Sequence, residues 1–179
     1  MVRAPQAPAG AGVTHYTYRT PFGQVTLQAS PHALERVAFG RVALAGPERP
    51  SALTNRAANQ LQEYFGGKRR VFDVPLALAG TEFQRAVWDE LLRIPYGQTR
   101  SYSQVAAAIG HPRASRAVGQ ANNRNPLPIF VPCHRVVAAD GSLGGYAFGV
   151  KTKQFLLDLE ASVVHAAPGK GKGPACSEK

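Results

Sequence analysis

SYSQVAAAIGHPRASRAVGQANN, residues 101–123, is the stretch from which the fold is read. Ser101 stands where an N-cap is needed, because its hydroxyl can accept a hydrogen bond from the free amides of a first helical turn. The helix that follows should run through Ile109 and close at Gly110, since glycine takes up a helix stop without steric penalty. Pro112 has no amide hydrogen to lose and suits the first turn of a second helix, from Arg113 to about Asn123. Two short helices around a glycine-containing turn predict a helix-turn-helix. The second helix carries small residues at Ala114, Ser115, Ala117, Gly119 and Ala121, with Arg116 among them. Small side chains let a neighbouring helix pack tightly, and they equally let a nucleic-acid backbone approach; both readings stay open here.

Working outward, Thr81 and Gln84 have the spacing of a capping box, and Phe83, Val87, Trp88, Leu91 and Leu92 form an apolar stripe that ends at Ile94 and Pro95. Trp88 is therefore a core residue. Further upstream, Tyr16 and Tyr18, then Val25, Leu27 and Ala29, alternate with polar residues around a turn at Pro21–Gly23 and predict a hairpin. Leu34–Phe39 reads as a third strand and Val71–Leu76 as a fourth. Between them Ser51 caps a helix with Leu53, Ala57, Leu61, Tyr64 and Phe65 at helical spacing, stopped by Gly66 and Gly67. Downstream, a last helix capped by Thr152 should bury Phe155, Leu156 and Leu159. The fold class is α+β: a small N-terminal unit of three to four strands plus a helix, then a mostly helical C-terminal domain with a winged helix-turn-helix-like motif. The expected boundaries are a disordered start over 1–13, the N-terminal domain over 14–76, a connector over 77–80, the second domain over 81–161 and a flexible basic tail over 162–179.

Lysine and arginine number 21 against 11 acidic residues, giving a formal charge of +10, which points to a polyanionic partner, nucleic acid first. Five arginines and no acid lie between Arg100 and Arg135, so this is where a phosphate backbone would dock. No apolar run approaches the length of a membrane span. Two cysteines without a hydrophobic N-terminal signal argue against a disulfide framework and for a reducing, cytoplasmic setting. His15 and His32 alone make a weak metal-ligand set.

That arginine-rich stretch ends at Pro132, Cys133, His134, Arg135, Val136, Val137. A lone cysteine among apolar residues is commonly a small buried hydrophobe. A neighbouring imidazole changes the balance, because the thiolate is the attacking species and a proton acceptor enlarges its population. If the segment is extended, Cys133 and His134 point to opposite faces, which makes a direct hydrogen bond between them awkward. Cys176 lies in the Gly- and Lys-rich tail.

From FQRAVWDELLRIPYGQTRSYSQVA through RAVGQANNRNPLPIFVPCHRVV to GGYAFGVKTKQFLLDLE, residues 81–161 resemble the methylated-DNA protein-cysteine methyltransferases, which repair O6-alkylguanine. The resemblance implies that Cys133 accepts the alkyl group, that His134 takes its proton through a water and that Glu160 orients the imidazole. Asn125 would brace the turn before the acceptor. On the DNA side it implies Arg116 as the finger that fills the space of a flipped nucleotide, with Ala114, Ser115, Ala117, Gly119 and Arg124 along the same minor-groove surface. Tyr102 would help rotate the target phosphate and donate to the base, within a pocket of Tyr102, Val136, Tyr146, Ala147 and Phe148; the carbonyls of Cys133 and Val136 would accept from the base's amino group.

Double-stranded DNA carrying O6-alkylguanine, and less efficiently O4-alkylthymine, is then the partner, with no cofactor, no metal, no membrane and no obligate protein partner implied. Residue by residue, plainer roles stand beside these: Tyr102 as a core tyrosine, Glu160 as a helix-end surface charge, Phe148 as a core ring. Ala147 and Phe148 depart from the small pair of many relatives, and Phe148 would narrow the pocket against bulky alkyl groups. Two other readings compete. A non-catalytic lesion-binding module is opposed by the presence of Cys133. A cysteine hydrolase built on Cys133, His134 and Glu160 leaves the basic charge and the helix-turn-helix without a task.

Overall fold

The computed structural model describes residues 12–166. Three strands, β1 (Thr14–Thr20), β2 (Gly23–Ala29) and β3 (Leu34–Phe39), form an antiparallel meander in the order β1-β2-β3. The alternation read in the sequence sets the register: Val25 and Leu27 face the interior opposite Phe39 and Val37. Helix α1 (Ala52–Phe65) covers this sheet, opened by a capping box between Ser51 and Thr54. It buries Ala57, Leu61, Tyr64 and Phe65.

The expected fourth strand is absent. Val71 is exposed and Pro75 has no amide to give to a ladder, so pairing is confined to one bridge, where Leu34 N donates to Pro75 O and Ala77 N to Leu34 O.

Helix α2 (Glu82–Leu91) starts at the Thr81–Gln84 capping box. Its Trp88 is fully buried, and the indole Nε1 donates to Ala121 O at 2.9 Å. A two-residue strand β4 (Arg100–Ser101) leads into α3 (Tyr102–Ala108), capped by Ser101 and Gln104, and the turn leads to α4 (Ser115–Asn123). Pro112 does not open α4. Residues 111–114 form a separate turn in which Ala114 N donates to His111 O, and α4 begins at Ser115 without a side-chain cap. A parallel strand β5 (Val136–Val137) pairs with β4.

The last helix, α5, spans Val150–Ala166, so Thr152 lies inside it and its hydroxyl donates to Phe148 O. The helix runs six residues past Glu160, into the stretch read as tail. Its inward face is Lys153, Leu156 and Glu160; Leu159 is half-buried, and Phe155 is 41% exposed, resting on Phe22 at 4.8 Å between ring centroids. Of the start expected to be disordered, Gly12 and Val13 are described and Val13 is buried; residues 1–11 and Cys176 lie outside the described residues. One apolar cluster runs without a break from the sheet and α1 through α2 to Cys133. No described helix is long and apolar enough to cross a membrane.

Candidate active site

The turn that delivers Cys133 is built by side-chain clamps. Asn125 Nδ2 donates to Val131 O at 3.0 Å, and its Oδ1 accepts from Leu127 N at 3.0 Å. These bonds hold residues 125–131, where Ile129 takes a positive φ of 74°, a conformation a β-branched side chain tolerates only under constraint. Asn122 Nδ2 then donates to Cys133 O at 3.1 Å.

Cys133–Arg135 is a single turn of 3-10 helix rather than an extended segment. No hydrogen bond joins Cys133 Sγ to the His134 ring among the described residues; the sulfur lies 3.7 Å from Tyr146 Oη instead. The extended segment expected from the sequence is thus a turn, in which the two side chains make no direct bond.

Cys133 is 1% exposed. Burial pushes its thiol up, opposed by Asn125, by the Tyr146 hydroxyl and by the charge of Lys153. At rest the sulfur is a thiol. His134 is wholly buried, and burial lowers its basicity despite the neighbouring Glu160. It is a neutral imidazole whose Nε2 lies 2.9 Å from Glu160 Oε1. A carboxylate only accepts, so Nε2 carries the hydrogen and Nδ1, which makes no hydrogen bond among the described residues, presents a lone pair.

Glu160 is not a surface charge. Burial would raise its carboxyl, but bonds from His134 and Arg135 outweigh that and hold it down at about 2. Arg135 reaches Oε1 at 2.9 Å through Nη2 and Oε2 at 3.0 Å through Nε, while its Nη1 donates to Ile94 O at 2.7 Å. Gly97 N donates to Oε2 at 2.8 Å. Its φ of +76°, and a Cβ position only 2.6 Å from Val164, restrict that place to glycine. Tyr64 Oη donates to Oε1 at 2.7 Å.

Of the residues expected to line a base pocket, Tyr146 lies against the sulfur. The Tyr102 ring fits between α4 and the loop before Tyr146: a Cβ on Gly119 would stand 3.8 Å from it, and one on Gly144 3.3 Å from its hydroxyl. Tyr102 is half-buried. Lys153 is fully buried, with Nζ 2.5 Å from both Val136 O and Leu143 O and 5.8 Å from the Tyr102 ring centroid. Desolvation brings its ammonium down to about 8, against the attraction of Cys133. Of the two carbonyls named as base acceptors, Cys133 O already accepts from Asn122 and from the Val136 amide, which occupies both its lone pairs, while Val136 O accepts from Lys153. Ala147 is exposed. The Phe148 ring is half-buried between Tyr146, at 5.6 Å, and Phe39 of β3, at 4.7 Å, so it packs on both Tyr146 and the sheet.

On α4 the small residues divide between packed and exposed positions. Ala121 is buried under Trp88 and Gly119 faces Tyr102; Ala114 and Ser115 are half-buried. Arg116, Ala117 and, at the C-cap, Arg124 project to solvent with Arg113 close by, and none of these arginines is in an ion pair with a described residue. No group of three or more His, Cys, Asp or Glu is placed to hold a metal ion among the described residues.

Sequence reasoning missed Arg135, Asn122, Lys153 and Tyr64. Two of the four had a local signal. Lys153 lies three residues before Leu156 and seven before Glu160, on one helical face, and Arg135 sits inside the quoted acceptor run.

The family profile described as "6-O-methylguanine DNA methyltransferase, DNA binding domain" matches residues 82–162, and "6-O-methylguanine DNA methyltransferase, ribonuclease-like domain" matches 13–78. The methylated-DNA--protein-cysteine methyltransferase of Methanosarcina acetivorans is 47% identical over 150 residues, covering 81% of this chain and 96% of that protein. The constitutive enzyme of that name from Bacillus subtilis is 60% identical over 106 residues, 58% of this chain and 64% of that one. Among solved structures, the Mycobacterium tuberculosis OGT in complex with DNA superposes with a TM-score of 0.79 at 43% identity, over 84% of this chain and 94% of that one. With two profiles in tandem and a relative matched over nearly its whole length, this chain belongs to the 6-O-methylguanine DNA methyltransferase family.

Proposed function

We propose that this methylated-DNA--protein-cysteine methyltransferase repairs DNA by drawing an O6-alkylguanine out of the duplex and moving its alkyl group onto Cys133. The observation that carries the reading is a fully buried thiol beside a His134–Glu160 pair at 2.9 Å, in the segment matched by the family's DNA-binding profile. A sulfur 1% exposed cannot reach a base that is still stacked, so the nucleotide has to leave the helix. Extrusion costs a few kcal/mol, and the exposed Arg116 on α4 offsets part of it by filling the gap from the minor groove.

The thiol proton passes through a bridging water to Nδ1 of His134, and the imidazolium is stabilised by Glu160. Thiolate sulfur bonds to the alkyl carbon as the carbon–O6 bond breaks; the electron pair leaves with the guanine. Donors at Tyr102 and the Ala147 amide stabilise that anion until it regains a proton. Net, Cys133 exchanges its hydrogen for the alkyl group. The thioether offers water no carbonyl to attack, so each molecule reacts once. O4-alkylthymine presents the same alkyl–oxygen bond and is a poorer substrate of the same site.

Intact-mass measurement after incubation with an O6-methylguanine duplex tests this. One methyl should appear, and peptide mapping should place it on Cys133; Cys133→Ala should bind the duplex and gain nothing. A methyl mapped to Cys176, or gained from unalkylated duplex, contradicts the reading.

A further inference from the structure

One hydroxyl from the N-terminal unit reaches the acceptor site. Tyr64 lies on α1, within the segment matched by the ribonuclease-like profile, whereas His134 and Glu160 lie within the DNA-binding profile. Its ring is fully buried against Phe65, Phe72 and Tyr96. Its hydroxyl donates to Glu160 Oε1 at 2.7 Å and lies 3.4 Å from His134 Nε2. Burial and the carboxylate keep the phenol protonated, so its hydrogen is committed to Oε1. The same oxygen accepts from His134 Nε2 at 2.9 Å. Tyr64 and His134 therefore share one acceptor.

We infer that Tyr64 is a positioning residue by which the N-terminal unit sets the proton affinity of His134, holding Glu160 Oε1 in place and reducing the share of its charge that the imidazole receives. The inference rests on the proposed role of His134 and Glu160 as the relay for Cys133. Each hydrogen bond donated to a carboxylate makes it less basic, and a less basic carboxylate stabilises an imidazolium less. The other groups around the relay come from several elements. Arg135 in the acceptor turn binds both carboxylate oxygens. Lys153 on α5 lowers the basicity of His134 and favours the thiolate of Cys133. Tyr96 stacks edge-on against Tyr64 and lies under Arg135 and Arg70. Tyr96 Oη has no hydrogen-bond partner among the described residues.

Tyr64→Phe deletes the shared donor and keeps the ring. Single-turnover methyl transfer from an O6-methylguanine duplex to the full chain, followed from pH 6 to 9, should show the rising limb, which follows the neutral imidazole, moved to higher pH by about half a unit, with duplex affinity unchanged. The same shift should appear without DNA, as a higher imidazole pKa for His134 by nitrogen-15 NMR. Tyr96→Phe, which removes the unbonded neighbouring hydroxyl, should leave both titrations where they are. An unshifted Tyr64→Phe profile, or an equal shift in Tyr96→Phe, overturns the inference. If the unaltered protein fails to place a methyl on Cys133, the proposed function falls instead, and the NMR titration still judges the coupling of Tyr64 to His134.

Discussion

Glu160→Gln removes a charge while keeping the size of the side chain, and its effect can be worked from the bonds around it. Burial alone would raise the carboxyl, yet donors from His134 and Arg135 hold it at about 2 instead of the ordinary 4.5. A difference of that size between the folded and unfolded chain is worth about 3 kcal/mol of stability at neutral pH. Because the folded value is the lower one, this stabilisation is complete above 4.5 and is lost as the pH falls from there towards about 2. In the variant, Arg135 also remains buried against a neutral amide, and losing one partner of a buried pair costs about 3–5 kcal/mol.

The two figures describe one interaction from two sides, so the variant should be less stable by about 3 kcal/mol or somewhat more at pH 7. For a chain of this size that lowers Tm by about 6–12 °C. Linkage makes the gap shrink by about 2 kcal/mol between pH 7 and pH 3, because the native protein loses its advantage in acid while the glutamine cannot titrate. Urea unfolding followed by circular dichroism at pH 7, 5 and 3 measures it. A gap that stays constant across that range refutes the reasoning, whatever its size. In the alkyl-transfer assay the same variant should react more slowly, because its imidazole is the weaker base, with duplex affinity nearly unchanged.

Arg116→Ala should slow repair in duplex at least tenfold more than it slows reaction with free O6-benzylguanine, since only the duplex reaction needs a base extruded; equal losses on both substrates argue against an intercalating role. Phe148→Gly removes a ring wedged between Tyr146 and Phe39, and should raise reactivity toward O6-benzylguanine relative to O6-methylguanine by about tenfold, the scale of one added group in an apolar pocket. It should also cost about 2 kcal/mol of stability for a half-buried aromatic. Proportional losses on the two substrates would leave Phe148 a packing residue alone.

What was legible in the sequence is what local chemistry decides. Ser51, Thr81 and Ser101 announce their helices because a capping hydroxyl acts within three residues of itself, and the sheet register follows from alternation along β2. The errors fall where a distant partner overrules the local pattern. Val71–Leu76 has strand-like composition, but Pro75 and the solvent around Val71 leave it a single bridge to Leu34. Phe155 was assigned to the core and lies at the surface, while Lys153 was passed over and is wholly buried, because hydrophobicity ranks those two residues in the opposite order. Arg135 and Tyr64 escaped for the same reason. A guanidinium and a phenol become interior groups only once Glu160, which is 25 residues from the one and 96 from the other, is folded between them.

The burial of Cys133 bears on economy of use. A protein that reacts once is wasted by any stray electrophile or oxidant that finds its sulfur, and an exposed, permanently ionised cysteine would be consumed by such reagents long before it met a lesion. Here Cys133 is 1% exposed, its thiol form is favoured, and the imidazole proposed to accept its proton is neutral and bound to Glu160. Shielding and protonation together keep the unused molecule chemically quiet. Under the proposed mechanism, selectivity for damaged DNA would depend less on recognising the methyl group than on the condition that nothing but an extruded base is brought within bonding distance of the sulfur.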